Sequence, residues 1–163
     1  MTDHPDLETR PLPDGHDDLR VWLRIMTCFN LVQTEMRTRL RERFDITLPR
    51  FDLLAQLERV PDGLKMGELS RRMMVTNGNI TGITQQLEKE GLISRSNAAS
   101  DRRVSVLRLT PQGRKAFAVM AREHEAWIKR LFSDLSDQDR ETLYRGLSLL
   151  KVSVRRNRVA PDQ

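Results

Sequence analysis

The apolar residues of this chain change period at Gly91, and that change limits the folds open to it. Before Gly91 they recur at helical spacing. Leu19, Trp22, Met26, Phe29, Met36, Leu40 and Phe44 lie three, four or seven apart, which lines one face of a helix. Such a helix, about 26 residues long, spans about 39 Å, more than a small core needs for itself. Pro49 suits the first turn of a second helix bearing Phe51, Leu54 and Leu57, and Pro61-Asp62-Gly63 reads as a turn. A short third helix, MGELSRRMM, turns Met66, Leu69 and Met73 inward. Thr76 is placed to cap a fourth, whose expected inner face is Ile80, Ile83 and Leu87, with Gly91 as its C-terminal stop. After Gly91 come LISR and RVSVLRL, short and rich in β-branched residues, on either side of the polar SNAASD. That pattern is a β-hairpin. Thr110-Pro111 then restores the helical period through Phe117, Met120, His124, Trp127 or Ile128, and Leu131. Ser136-Asp137 opens a last helix with Leu143, Leu147, Leu150 and Val154 in register.

A short helix, a tight turn and a glycine-terminated amphipathic helix form a helix-turn-helix, whose second helix enters the major groove of DNA. The outer face of that helix is polar and short-chained: Asn77, Asn79, Thr81, Thr84 and Gln85, with Thr76 at its start. Asn and Gln hydrogen-bond adenine edges in a bidentate way. Gly78 and Gly82 cost a helix about 1 kcal/mol each against Ala, a cost consistent with close approach to a partner. The hairpin adds charge. Arg102 and Arg103 lie at its tip, Arg95 and Arg108 flank it, and Asp101 is placed to pair with Arg103 and hold the loop. Arginines on such a tip suit a narrow minor groove.

Charge supports the same partner. The chain carries +5, but residues 1–18 hold six acids against one arginine, so everything after them carries +10. A basic body of this kind attracts polyanions. The acidic, proline-rich residues 1–17 read as a disordered arm and 159–163 as a tail. No apolar run reaches the roughly 20 residues of a membrane span. The N-terminal residues lack a basic-then-apolar pattern, and the single cysteine suits a reducing compartment; a cytoplasmic protein with no membrane partner is expected.

The strings GELSRRMMVTNGNITGITQQLEKEGLISR and DRRVSVLRLTPQGR resemble the MarR (multiple-antibiotic-resistance regulator) family of bacterial transcription factors. Asp101 and Arg103, followed by Leu109, Thr110 and Gly113, match that family's wing signature, and the likeness runs over roughly residues 18–157. Gly82 departs from it, since many members carry a longer side chain there. The resemblance implies a homodimer with intertwined terminal helices, a pseudo-palindromic double-stranded DNA operator, and release by a small aromatic ligand. It also implies an effector pocket framed by the first, second and fifth helices, which falls here on Trp22, Met26, Phe29, Asn30, Arg50, Phe51, Phe117 and Met120. Aromatic and methionine side chains suit an aryl ring, and Arg50 an anion. Dimerisation has a separate argument, because the end helices carry apolar stripes too long for one small core.

Catalysis finds no support in the inventory. His4 and His16 lie in the acidic arm and His124 inside a helix, with no metal-ligand cluster, phosphate loop or nucleophile elbow. Some family members sense peroxide through a cysteine near the start of the first helix with tyrosine partners. Cys28 lies about ten residues in and the only tyrosine is Tyr144, so a buried, inert thiol is expected.

The expected protein is mainly α with a small β-hairpin wing: a dimerisation helix over 18–46, a winged helix-turn-helix over 47–110 and C-terminal dimerisation helices over 111–158. It is expected to need no cofactor or metal, and to act as a repressor released by an aromatic carboxylate or its coenzyme A thioester. The alternatives are an architectural DNA-binding protein without effector and a peroxide-sensing regulator using Cys28.

Overall fold

The computed structural model describes residues 16–98 and 101–157, with only the backbone at residues 77, 98 and 101–104. The elements in chain order are α1 (Asp17–Phe44), α2 (Leu48–Glu58), β1 (Leu64–Lys65), α3 (Met66–Met73), α4 (Asn77–Lys89), β2 (Ile93–Ala98), β3 (Asp101–Leu109), α5 (Pro111–Leu131) and α6 (Asp137–Arg156). The expected helices and the hairpin are all there. The sheet, however, has three strands in the order β1-β3-β2, not two. β1 is two residues long, too short to show alternation. It exists because Leu64 and Lys65 pair with Leu107 and Val106 of β3, a contact made far along the chain. Gly63 turns the chain into it at φ +86, and the Leu107 carbonyl oxygen lies 2.5 Å from where its Cβ would stand.

The chain divides after Glu125 into two units. The core of the first is leucine-rich: Leu40, Leu53, Leu54, Leu57, Leu69, Leu87 and Leu107 are fully buried, together with Ile80. Each helix supplies them at its own period. α1 supplies only its C-terminal half, where Met36 and Leu40 are buried; Leu19, Trp22 and Phe29 at its other end are exposed. α1 stops because Asp45 takes the left-handed conformation (φ 50) and returns its N–H to the Arg41 carbonyl, a position Asp tolerates better than most residues.

The turn between α3 and α4 is held from inside. Met74 takes φ 55, and the buried Ser70 hydroxyl donates to the Val75 carbonyl at 2.6 Å while the Val75 N–H returns to the Ser70 carbonyl. At the other end of α4, Gly91 (φ +71) stops the helix as expected. Thr110 then does two things. Its hydroxyl donates to the Gly91 carbonyl at 2.6 Å and accepts the Gly113 N–H at 2.9 Å, capping α5 where Pro111 begins it.

In the second unit Ser136 caps α6 through a reciprocal capping box with Asp139. No residue of α6 is buried, and Leu143, Leu147, Leu150 and Val154 form an exposed apolar stripe.

Two glycines make opposite predictions. A Cβ on Gly113 would stand 1.9 Å from the Leu92 carbonyl oxygen, whereas one on Gly82 meets nothing within 4 Å. Gly113→Ala should destabilise the fold by about 1–3 kcal/mol or more. Gly82→Ala should stabilise it by about 1 kcal/mol through helix propensity. Urea midpoints at constant slope measure both; an unshifted midpoint for Gly113→Ala would show that the junction yields.

Candidate nucleic-acid interface and effector cavities

α4 is anchored by its N-cap, where the Thr76 side chain accepts the Asn79 N–H at 3.4 Å. The core-facing stripe is Ile80, Thr84 and Leu87, spaced four and three. The expected stripe of Ile80, Ile83 and Leu87 has the spacing three and four, and both suit a helix with 3.6 residues per turn. The structure chooses the first, leaving Ile83 half-buried. Thr84 therefore leaves the expected DNA-contacting set. It is 0% exposed, with its hydroxyl donating to the Thr81 carbonyl at 2.9 Å and facing Arg95 at 3.4 Å. Thr76, Asn79 and Gln85 are exposed and Thr81 is half-buried. Gly78 and Gly82 lie on the open side with nothing within 4 Å of a built Cβ. The Asn77 side chain lies outside the described residues.

The wing is β2 paired with β3, from Ile93 opposite Leu109 to Asn97 opposite Ser105, with a register shift between Asn97 and Ala98. Arg95 stands opposite Leu107 and so points to the helical side of the sheet. There it pairs with Glu88 at 3.3 Å and reaches Thr84. Alternation along β2 thus lays Arg95 beside α4, where the residue remains exposed. On the other face Arg108 donates to the Ser96 hydroxyl at 2.7 Å. The expected Arg102 and Arg103 contacts and the Asp101–Arg103 pairing fall on side chains outside the described residues.

Arg37 and Arg41 also belong beside this surface. A cavity of about 680 Å³ places them with Thr47, Leu48 and Val75 next to Asn79 and Ile83 of α4. The run of arginines is plain in the sequence, but its position next to α4 depends on how α1 packs.

The expected effector residues separate. Arg50 and Met120 line one cavity of about 440 Å³ with Glu90, Leu92 and Val119. Phe51 and Phe117 line another of about 440 Å³ with Asp52, Arg59 and His124. The Phe51 and Phe117 rings are 5.5 Å apart, and His124 stacks on Phe51 at 4.8 Å. Trp22, Met26, Phe29 and Asn30 line neither cavity. They sit on the half of α1 that runs past the core, where Trp22 is 55% exposed. Cys28 is on the same half and is exposed rather than buried.

Burial lowers the His124 imidazole below its usual range and raises the Asp52 carboxyl above its own. Among the described residues no cluster of three or more His, Cys, Asp and Glu is placed to hold a metal ion. No described helix is long and apolar enough to cross a membrane.

A helix-turn-helix followed by a β-hairpin wing, with β1 completing a three-stranded sheet, defines a winged helix-turn-helix protein. A family model for the MarR family matches residues 46–105. The HTH-type transcriptional regulator YfiV of Bacillus subtilis is 31% identical over 112 residues, covering 69% of each chain. Among solved structures, a MarR family transcriptional regulator from Silicibacter pomeroyi is 31% identical with a TM-score of 0.74, over 88% of this chain and 99% of that one. Streptococcus pneumoniae FabT, solved in complex with DNA, is 27% identical with a TM-score of 0.71, over 87% and 100%. The chain belongs to the MarR family, a family of transcriptional regulators and not of enzymes.

The His124 environment predicts a pH dependence. With its folded pKa lowered from 6.5, the stability gained by keeping the ring neutral is complete above the unfolded value and is lost as pH falls through the folded one. Asp52 acts in the opposite sense, its share being lost as pH rises through a pKa above 3.8. His124→Phe keeps a ring against Phe51 and removes the titration. The thermal midpoint of the wild type should therefore fall more than that of the variant between about pH 7 and 5. Parallel curves would show that His124 titrates as it does in the unfolded chain.

Proposed function

We propose that this MarR-family regulator binds a pseudo-palindromic DNA operator as a homodimer and represses transcription until a small aromatic acid, or its coenzyme A thioester, weakens that binding. The observation that carries the DNA reading is α4: anchored at Thr76, sealed to the core along Ile80, Thr84 and Leu87, and exposing Asn79 and Gln85 beside two glycines that leave the surface open. The excess of +10 after residue 18 and the neighbouring Arg37 and Arg41 suit a phosphate backbone. FabT, similar over most of its length, has been solved on DNA.

A second copy accounts for the apolar surface that one chain leaves bare. Leu19, Trp22 and Phe29 on α1, and Leu143, Leu147, Leu150 and Val154 on α6, are all exposed; stripes of this length are satisfied by self-association. The two cavities between α2 and α5 offer an aryl ring an apolar wall with an arginine nearby, Arg50 in one and Arg59 in the other. An architectural protein without effector would bind without sequence preference, so the ratio of specific to non-specific affinity at fixed salt separates the two readings. The exposure of Cys28 favours a second reading, peroxide sensing; operator affinity unchanged by peroxide removes it.

Asn79→Ala should cost about 1–3 kcal/mol of preference for the correct base at one position in each half-site, with the fold intact. Arg103→Ala should weaken binding to all sequences and lower the salt slope by about 2 per dimer, one unit for each wing. The half-sites should lie roughly 10 bp apart, centre to centre. Fluorescence anisotropy on a selected operator and its single-base variants, over a salt series, measures all three. Unchanged base preference in Asn79→Ala would place readout elsewhere on the surface.

A further inference from the structure

Met74 ends α3 in the left-handed conformation, at φ 55 and ψ 38. A side chain there crowds its own backbone, which is why glycine usually holds such a position. Packing does not offset that strain, because Met74 is 93% exposed. The other large apolar residues found exposed lie on α1, α5 or α6, or just after α5. Among the described residues Met74 is thus the one large apolar side chain that the helix-turn-helix leaves in solvent. Its backbone is held from both sides. The Met74 N–H reaches the Arg71 carbonyl at 3.3 Å. The next residue, Val75, is locked to the buried Ser70 by a hydroxyl-to-carbonyl bond of 2.6 Å and an N–H-to-carbonyl bond of 3.2 Å. A strained residue that the surrounding structure fixes, with almost no contact of its own, points to a use outside the chain.

Two residues further on, Thr76 caps α4, and the first residues of a recognition helix are those that meet base edges in the major groove. The exposed neighbours of Met74 in sequence are polar or basic: Arg71, Arg72, Thr76 and Asn79. One apolar side chain without an apolar patch around it is too small a surface to hold a protein. It matches in size the apolar group that the major groove offers, the 5-methyl of thymine. We propose that Met74 determines specificity, its side chain packing against a thymine methyl in each half-site beside the bases that face Asn79. The inference rests on the DNA-binding reading of α4. It adds a base preference carried by apolar contact rather than by hydrogen bonds. Methionine suits the task, being unbranched, polarisable and able to adapt to an irregular surface. The clamp between Ser70 and Val75 holds the Met74 backbone in place before DNA arrives, so binding has less freedom to remove.

The test joins thermal unfolding to fluorescence anisotropy of the full chain on an operator selected from random duplexes. Deoxyuridine replaces each thymidine in turn, which removes the methyl and keeps every hydrogen bond. At one position in each half-site the wild type should lose about four-fold in affinity, the size of one buried methyl. Met74→Ala keeps the strained Cβ but not the reach. It should bind the unmodified operator as weakly as the wild type binds the uracil-bearing one, respond no further to uracil there, and leave the thermal midpoint nearly unchanged. Met74→Gly should lose the same preference while raising the midpoint by about 2–4 °C, because the left-handed turn no longer opposes a side chain. Stability and affinity then move in opposite directions, which a merely structural residue would not cause. A wild type that binds the operator but ignores every methyl overturns the proposal, as does either variant keeping the wild-type affinity and uracil penalty. A wild type that binds no duplex in a salt-dependent way overturns the DNA-binding reading of α4 itself, and this proposal with it.

Discussion

The carbonyl oxygen of Leu92 lies 1.9 Å from where a side chain on Gly113 would begin, and four elements meet at that contact. α4 has just ended at Gly91, β2 is about to start, β3 has just finished, and α5 begins at Pro111. Thr110 closes the junction by donating to the Gly91 carbonyl and accepting from the Gly113 N–H, while its own N–H bonds the Leu92 carbonyl at 3.1 Å. The Leu-Thr-x-x-Gly segment is therefore a joint of backbone against backbone. It sets the angle between the helix that presents Asn79 and the wing, and it delivers α5 to α2. Any change in backbone approach here bears on both the candidate DNA surface and the cavities beside α5.

Thr84 adds a second restraint on the same two elements. An apolar residue at this buried position would seal α4 to the core equally well. A threonine also offers a hydroxyl that returns to its own helix and faces Arg95 of β2, whose guanidinium is held by Glu88 one turn further on. Helix and wing are thus linked by polar contacts under the surface as well as by the joint at Gly113. Rigidity between them matters physically, because a helix and a wing that contact the same DNA must keep a fixed spacing for their contacts to add.

The two cavities beside α5 are built differently. The Phe51, Phe117 and His124 rings pack together between α2 and α5, while Arg50 reaches across to Glu90 at the end of α4. One cavity holds rings and the other holds a charge with an unused donor. The second is the one that Glu90, at the end of α4, also lines.

Local chemistry was legible in the sequence wherever a residue acts on its own neighbours. Thr76 as a cap, Pro49 in a first turn, Gly91 at φ +71 and the capping box at Ser136 are decided by backbone groups three or four residues away. The wing hairpin and the family likeness follow from the same kind of short-range pattern. Contacts between elements were not legible. Whether Ile83 or Thr84 faces the core is a rotation that a 3.6-residue period leaves open, and only the packing of α4 against its neighbours settles it. β1 has no pattern of its own and exists through its pairing with β3. Trp22 and Phe29 continue the apolar stripe that reaches the core at Met36 and Leu40, yet they remain exposed, because α1 is longer than the core it meets. Sequence determined which residues form helices, caps and turns, since those depend on bonds of short reach; tertiary structure alone decided which side chains share a cavity, since that depends on where separate elements come to rest.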